Sequence, residues 1–303
     1  MLGCTERTSD LPDVGPIVFD GGSDGGTDGG HDSGPRVDGG PDLSSVLIFA
    51  HSRDTLFSFS PFTNTVDSIG VFTLPGGAPA PFMNDLAVNA DNAIYTVATD
   101  RDATPDAEVL YRVDPVTAVA TRVGALTVEG TDAVFALTCL APGELGAGET
   151  LVGATNEGVV YRIDPATAAA TRVGQYPDGW GSSGDLVSVQ GLGTFATIRR
   201  DGGDSDSLAL VRFEPGGIAF AVRGETGSTQ LFGLGYWGSK LYGFSGAGEL
   251  VEIDRDFGTG TVIATPATTG TDRFWGAGVT TRVPVIFRSA RSARPTSGTR
   301  RRA

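Results

Sequence analysis

The chain of 303 residues predicts an all-β fold, a five-bladed β-propeller whose ring is closed by pairing its two ends. Three observations predict it. Val, Ile, Thr, Phe and Tyr cluster in short runs between Gly, Asp, Asn and Pro, and 45 Gly with 17 Pro signal many turns and few long helices. One phrase is written almost twice: "YRVDPVTAVATRVG" from Tyr111 and "YRIDPATAAATRVG" from Tyr161. Finally, a half-blade stands at each end of the repeated region, and the two complete one another.

Looser copies of the phrase are "LFSFSPFTNTVDSIGVF" from Leu56, "LVRFEPGGIAFAVRG" from Leu210 and "LVEIDRDFGTGTVIATP" from Leu250. A period of about 40 to 54 residues suits blades of four strands, named a to d from the axis outward. Each copy reads as strand c, tight turn, strand d. Asp114 or Asp164 bonds its own backbone in the turn, and Pro115 or Pro165 pre-sets φ. Another hairpin, a to b, precedes each copy: "NDLAVNADNAIYTVAT", "FALTCLAPGELGAGETLVGATN", "GDLVSVQGLGTFATIRR" and "LFGLGYWGSKLYGFSG". The first hairpin, "VLIFAHSRDTLFSFSP", supplies b, c and d with no a before it. The closing "RFWGAGVTTR" reads as an a with nothing after it. Joining them completes the fifth blade and removes the exposed edges of open sheets. A sixth blade is the alternative if one degenerate copy is hidden. The repeats lack the 3.6-residue period of a helical solenoid.

The organisation is threefold: residues 1–45 a linker, 46–282 the propeller, 283–303 a basic tail. Residues 1–45 carry nine acids against Arg7 and Arg36; residues 283–303 carry six Arg and no acid. The propeller holds 27 acids and 14 bases, an acidic body that argues against nucleic acid as partner. The stretch "DGGSDGGTDGGHDSGPRVDGGPD" has almost nothing to bury and reads as a tether with a mean reach of roughly 35 Å. The tail reads as a solvated end, with contact to anionic lipid as its functional alternative. Cys4 and Cys139 form neither a disulfide framework nor a CxxC site, and Cys139 in "VFALTCLAP" reads as a buried thiol. No apolar run is long enough for a transmembrane helix.

Two resemblances add to this. "MLGCTE" resembles the end of a bacterial lipoprotein signal, in which the cysteine receives the lipid; Met1 stands where that family usually has Leu. The resemblance implies a start further upstream, acylation of Cys4, and a place at the outer membrane, cell surface or periplasm. The phrase "YRIDPATAAATRVG", with "DLAV" and "FWGAGVTT", resembles repeats of bacterial secreted and lipid-anchored β-propellers over residues 46–282. That implies fold and surface location, and no particular activity.

Strand polarity sorts the loops onto two faces. The a–b and c–d turns, with both Asp-Pro sequences, share one face and read as structural. The d–a and b–c connections share the other. They bring Asp85, Asp132, Asp185, Asp272, Arg273, Trp180 and Trp275 toward the channel mouth, beside His51, Arg53, Arg101, Asn156 and Arg199. Trp with Arg is anchor chemistry for a partner. The first expectation is therefore a binding module for a protein or glycan ligand, monomeric, with no cofactor. The alternative is a glycoside hydrolase-like enzyme using Asp85 and Asp185, with Asp132 or Asp272. A Ca²⁺ site from the same acids is a third reading. The two histidines, His31 and His51, do not make a zinc site. Neither a P-loop nor a dinucleotide fingerprint is present, since "GLGYWG" lacks the spacing.

Overall fold

The computed structural model describes residues 43–100, 107–128, 133–200, 203–264 and 273–286. These form five four-stranded antiparallel sheets arranged as a five-bladed propeller. Blade 1 runs β20 (Gly276–Gly278), β1 (Ile48–His51), β2 (Thr55–Ser60), β3 (Thr65–Val71) from the axis outward. Blade 2 is β4 (Met83–Val88), β5 (Ile94–Asp100), β6 (Ala107–Val113) and β7 (Ala120–Ala125). Blade 3 is β8 (Val134–Leu140), β9 (Thr150–Thr155), β10 (Val159–Ile163) and β11 (Ala170–Gln175). Blade 4 follows as β12 (Gly181–Val189), β13 (Gly193–Arg199), β14 (Ser207–Glu214) and β15 (Gly217–Glu225). Blade 5 is β16 (Leu231–Trp237), β17 (Lys240–Ser245), β18 (Leu250–Ile253) and β19 (Gly260–Ala264).

The ends pair as the half-blades predict: Phe49 faces Gly278, Ala50 faces Ala277 and His51 faces Gly276. Three residues make a short seam, and aromatic packing reinforces it. Phe244 meets Phe274 edge-on at 5.2 Å, and Phe59 meets Tyr242 and Phe244 at 5.7 and 6.1 Å. Edge-to-face pairs of this kind each add about 0.5–1.5 kcal/mol beyond their burial.

The core lies between blades. Leu56 and Met83 meet between blades 1 and 2, Val97 and Leu137 between 2 and 3, Val152 and Leu186 between 3 and 4. The outermost strands, by contrast, are largely exposed, which suits the polar "ATRVG" of β7 and β11.

The repeated phrase owes its form to this packing. Asp114 Oδ1 accepts from the backbone N–H of Val116 and Thr117 at 2.8 and 2.9 Å, and Asp164 Oδ1 accepts from Ala166 N–H at 2.8 Å. The turn then passes through a left-handed residue, Ala118 at φ 56° or Ala168 at φ 62°. That residue packs against the outer strand of the blade before it. A methyl on Gly124 would stand 2.9 Å from Thr167 O and 3.2 Å from the Ala168 methyl. So the phrase ends in glycine because the next blade's turn rests there.

Candidate functional site

Five equivalent positions meet at the axis, one at the start of each innermost strand. The strand registers align Asp85, Ala136, Asp185, Gly233 and Gly276. In β4, β8, β12 and β16 the ladder shifts register just before that position or around it. Such a bulge re-aims a side chain, here toward the axis.

Both aspartates are fully buried. Asp85 accepts from its neighbour Leu86 N–H at 2.7 Å and from Leu137 N–H of the next blade at 2.6 Å. Asp185 repeats the pattern with Leu186 N–H and, in the next blade, Leu234 N–H, both at 2.6 Å. The two carboxyls hydrogen-bond to each other across the axis. Burial drives both well above the ordinary carboxylate range, and the facing Asp185 raises Asp85 further. Two carboxyls so close cannot both ionise cheaply, so each holds a proton more tightly than a free carboxyl does. Of the three small axis positions, Gly233 would press a methyl to 2.6 Å from Ala277 N, and Gly276 is limited by the pair itself. A methyl on Gly276 would run into Asp85 Oδ1, and it would stand 2.9 Å from Asp85 Cα.

His51 belongs to this buried centre. It ends β1 and is fully buried, rather than standing in a surface loop. Its Nδ1 lies 2.6 Å from Ser52 O; a carbonyl only accepts, so Nδ1 carries the hydrogen. Nε2 is then a bare acceptor without a hydrogen-bond partner, directed at Gly276 beside Asp85. Burial lowers the ring to about 4, so it is neutral at pH 7.

Above the axis the same strands begin with aromatic side chains, one per blade. These are Phe82, Phe135, Trp180, Phe232 and Trp275, in "PFMND", "VFAL", "GWGSSGD", "LFGL" and "FWGAG". Phe82 and Phe135 are exposed, at 55% and 40%. The Arg53 guanidinium lies over the Phe82 ring at 3.8 Å and that of Arg200 over Trp180 at 4.4 Å. Phe232 and Trp275 stack on each other at 6.0 Å. Arginine stays charged and stacks on aromatic faces, so Arg53 and Arg200 add flat, polar-edged surface to the rim.

The sequence-derived candidates therefore divide. Trp180, Trp275 and Arg53 sit at this rim; Arg273 and Asn156 are exposed on the same face. Arg199 is drawn aside, 3.9 Å from the buried carboxylate of Asp206. Asp206 itself accepts from Leu231 N–H at 2.8 Å and holds the crossover from blade 4 to blade 5. Cys4, Arg101, Asp132 and Asp272 lie outside the described residues. Arg200, beside Arg199 in the "RRDGGD" loop that the sequence also places at this mouth, does reach the rim, while Phe82, Phe135, Phe232 and Asp206 are absent from the sequence-derived set. Aligning the strand-a starts on their Asp or small residue brings Phe135, Phe232 and Trp275 into one column, one residue before it, while Phe82 and Trp180 stand three and five residues before it.

The geometry also bears on the hydrolytic alternative. Glycosidase carboxyls stand about 5–5.5 Å apart when retaining and about 6.5–9.5 Å when inverting. Asp85 and Asp185 are sealed from solvent, and Asp132 and Asp272, the other carboxyls of that reading, lie outside the described residues. Among the described residues no group of three or more His, Cys, Asp or Glu is placed to hold a metal ion. Cys139 is buried, and that burial pushes its thiol upward, away from the reactive thiolate.

The architecture defines a β-propeller protein. No protein-family model matches the chain, and no curated protein matches it. Solved structures share the fold at a distance. The Dos1 propeller is 10% identical with a TM-score of 0.39, over 74% of this chain and 57% of that one. A structural genomics protein of unknown function from Bacteroides thetaiotaomicron VPI-5482 is 14% identical with a TM-score of 0.45, over 72% and 57%. An exo-β-1,3-galactanase from Phanerochaete chrysosporium is 11% identical with a TM-score of 0.46, over 71% and 56%. This chain spans less than two thirds of each of the three. At this level of likeness none of them speaks to what this chain binds or does.

Proposed function

We propose that this chain is a lipid-anchored binding module whose aromatic rim contacts a glycan or protein ligand. The single observation that carries it is the rim itself: an aromatic at the start of every innermost strand, two of them faced by an arginine. Rigid aromatic faces with arginine edges supply contact area at low entropic cost, the chemistry that dominates binding sites. Exposed Phe82 and Phe135 have no structural need for their position, since solvent would otherwise favour a polar residue there.

The anchor is the acyl-accepting Cys4, with the Gly- and Asp-rich segment as spacer. The route of the chain supports that arrangement. Leu43 O accepts from Trp237 Nε1–H at 3.1 Å, and Trp237 ends an innermost strand at the face opposite the rim. A propeller held from that side presents its rim outward.

The three tryptophans give the test, because Trp180 and Trp275 lie at the rim and Trp237 at the far end. Titration with envelope polysaccharides and with purified surface proteins should shift tryptophan emission. Trp180→Phe with Trp275→Phe should abolish the shift, and Trp237→Phe should preserve it. A response carried by Trp237 alone, or none across both panels, would overturn the rim assignment. Mass spectrometry of the detergent-extracted native protein tests the anchor separately, since an unmodified Cys4 removes it.

A further inference from the structure

We infer that a neutral glycan is what the aromatic rim takes, provided the rim is the binding face, and that blades 4, 5 and 1 hold it. Two residues before each rim aromatic stands a residue whose chemistry differs around the ring. Blades 2 and 3 place Ala80 and Ala133 there, while blades 4, 5 and 1 place Asp178, Gln230 and Arg273, all three exposed. Three consecutive blades therefore set a polar side chain beside Trp180, Phe232 and Trp275.

Backbone strain marks two of these polar residues. Among the described residues seven that are not glycine have positive φ, and five of them, Asn64, Asn92, Ala118, Ala168 and Ser239, form turns on the opposite face. The other two are Asp178 at φ 57° and Gln230 at φ 56°. In blade 5 the fold uses that conformation: the Gln230 carbonyl accepts from Phe232 N–H at 2.9 Å and from Gly246 N–H at 2.7 Å. Glycine would adopt it without strain. The backbone thus explains the turn and leaves the side chain unexplained. Glutamine lacks the preference for this region that asparagine and aspartate have. Neither side chain hydrogen-bonds within the described residues. Residues held in sparsely populated conformations cluster at ligand sites.

The chemistry of the sector fits a sugar. A pyranose offers a flat C–H face and an edge of hydroxyls that both donate and accept. Phe232 and Trp275, stacked at 6.0 Å with their planes 24° apart, make a platform for such a face. A methyl on Gly246 would stand 2.9 Å from both Gln230 Oε1 and Phe232 Cε2, so amide and ring edge lie side by side against that loop. The Asp178 carboxylate accepts, the Arg273 guanidinium donates and the Gln230 amide does both. Arg200 adds a donor over Trp180. An aromatic platform with a few placed polar groups of both signs selects hydroxyls in fixed directions, not one sign of charge.

Affinity electrophoresis tests this with the full chain, in native gels containing laminarin, xylan, mannan or amylose, and polygalacturonate as the charged comparison. Retardation by at least one neutral polysaccharide is expected. Asp178→Gly and Gln230→Gly should each weaken it by about fivefold to tenfold, the loss of one or two hydrogen bonds. Neither should lower the melting temperature, because glycine accepts the left-handed conformation. Asn64→Gly, the same kind of change on the opposite face, should migrate as the parent does. Retardation by polygalacturonate alone, or by none of the polysaccharides, would overturn the glycan. So would full retardation of both glycine variants, or a fall in their melting temperature, which would make the side chains structural. Should no polysaccharide retard the chain while a surface protein still shifts the emission of Trp180 and Trp275, the glycan falls and the rim stands.

Discussion

The axis and the rim are built from the same five strands a few residues apart, yet they do opposite things. At the axis, blades 2 and 4 supply acids and blades 1, 3 and 5 supply small residues; every carboxyl oxygen there accepts a backbone N–H. At the rim all five blades supply an aromatic, and two of these are well exposed. Sealed polar groups with complete hydrogen bonding are stabilising structure, whereas exposed apolar rings without a packing role are available surface. The acids bolt the ring at its centre, and the aromatics around them are the surface we propose for binding.

The comparison breaks most visibly at the acids. Asp185→Ala leaves the Leu186 and Leu234 N–H groups buried without an acceptor and strips Asp85 of its partner. We expect a loss of about 3–5 kcal/mol in urea unfolding, and Asp85→Ala should cost a similar amount. A double-mutant cycle should show coupling above about 1 kcal/mol. Additive losses would mean that the carboxyls act separately.

The next effect is in pH. His51 is lowered from 6.5 to about 4, so its contribution is complete above the unfolded value and is lost as pH falls toward 4. That amounts to about 3 kcal/mol across the interval. The aspartate pair has the opposite sign. Its folded affinity for a proton is raised, so its contribution declines as pH climbs above the ordinary carboxyl value. In the parent the two slopes oppose each other between about pH 4 and 6.5. His51→Gln should remove the rising slope and uncover the falling one. A profile unchanged by that substitution would detach His51 from the buried centre.

Smaller still, Gly276→Ala should cost about 1–3 kcal/mol by forcing a methyl against Asp85. Ala136→Gly, at the matching position of blade 3, should cost about 0.5–1 kcal/mol. The smallest stability effects belong to the rim: Phe135→Ser and Arg200→Ala should each change unfolding by no more than about 0.5 kcal/mol. If Phe135→Ser destabilised the fold as Gly276→Ala does, the rim would be structural and the distinction would fail.

Much of this was legible in the residues. The doubled phrase gave its turns through Asp114 and Asp164, and the unmatched ends at "VLIFAH" and "FWGAGV" gave the closure. Less legible was why Asp85 and Asp185 face inward, one hundred positions apart in the chain. Both stand next to Leu in "NDLAV" and "GDLVS", a context equally fit for a surface loop. His51 was misplaced for a similar reason. "HSRDT" reads as a polar loop, while its first residue is the end of β1, facing the three-residue strand that closes the ring.

By itself the sequence determined the strands, the turns, the blade period and the circular order. These depend on alternation and turn chemistry over a few residues, and repeats write such signals several times. Only the tertiary structure decided which side chains converge. Meeting at the axis depends on how many blades close the ring, where each ladder bulges, and which neighbours are small enough to leave room. Those are properties of all five blades at once, and the convergence that separates a buried bolt from an open rim exists only when the ring is complete.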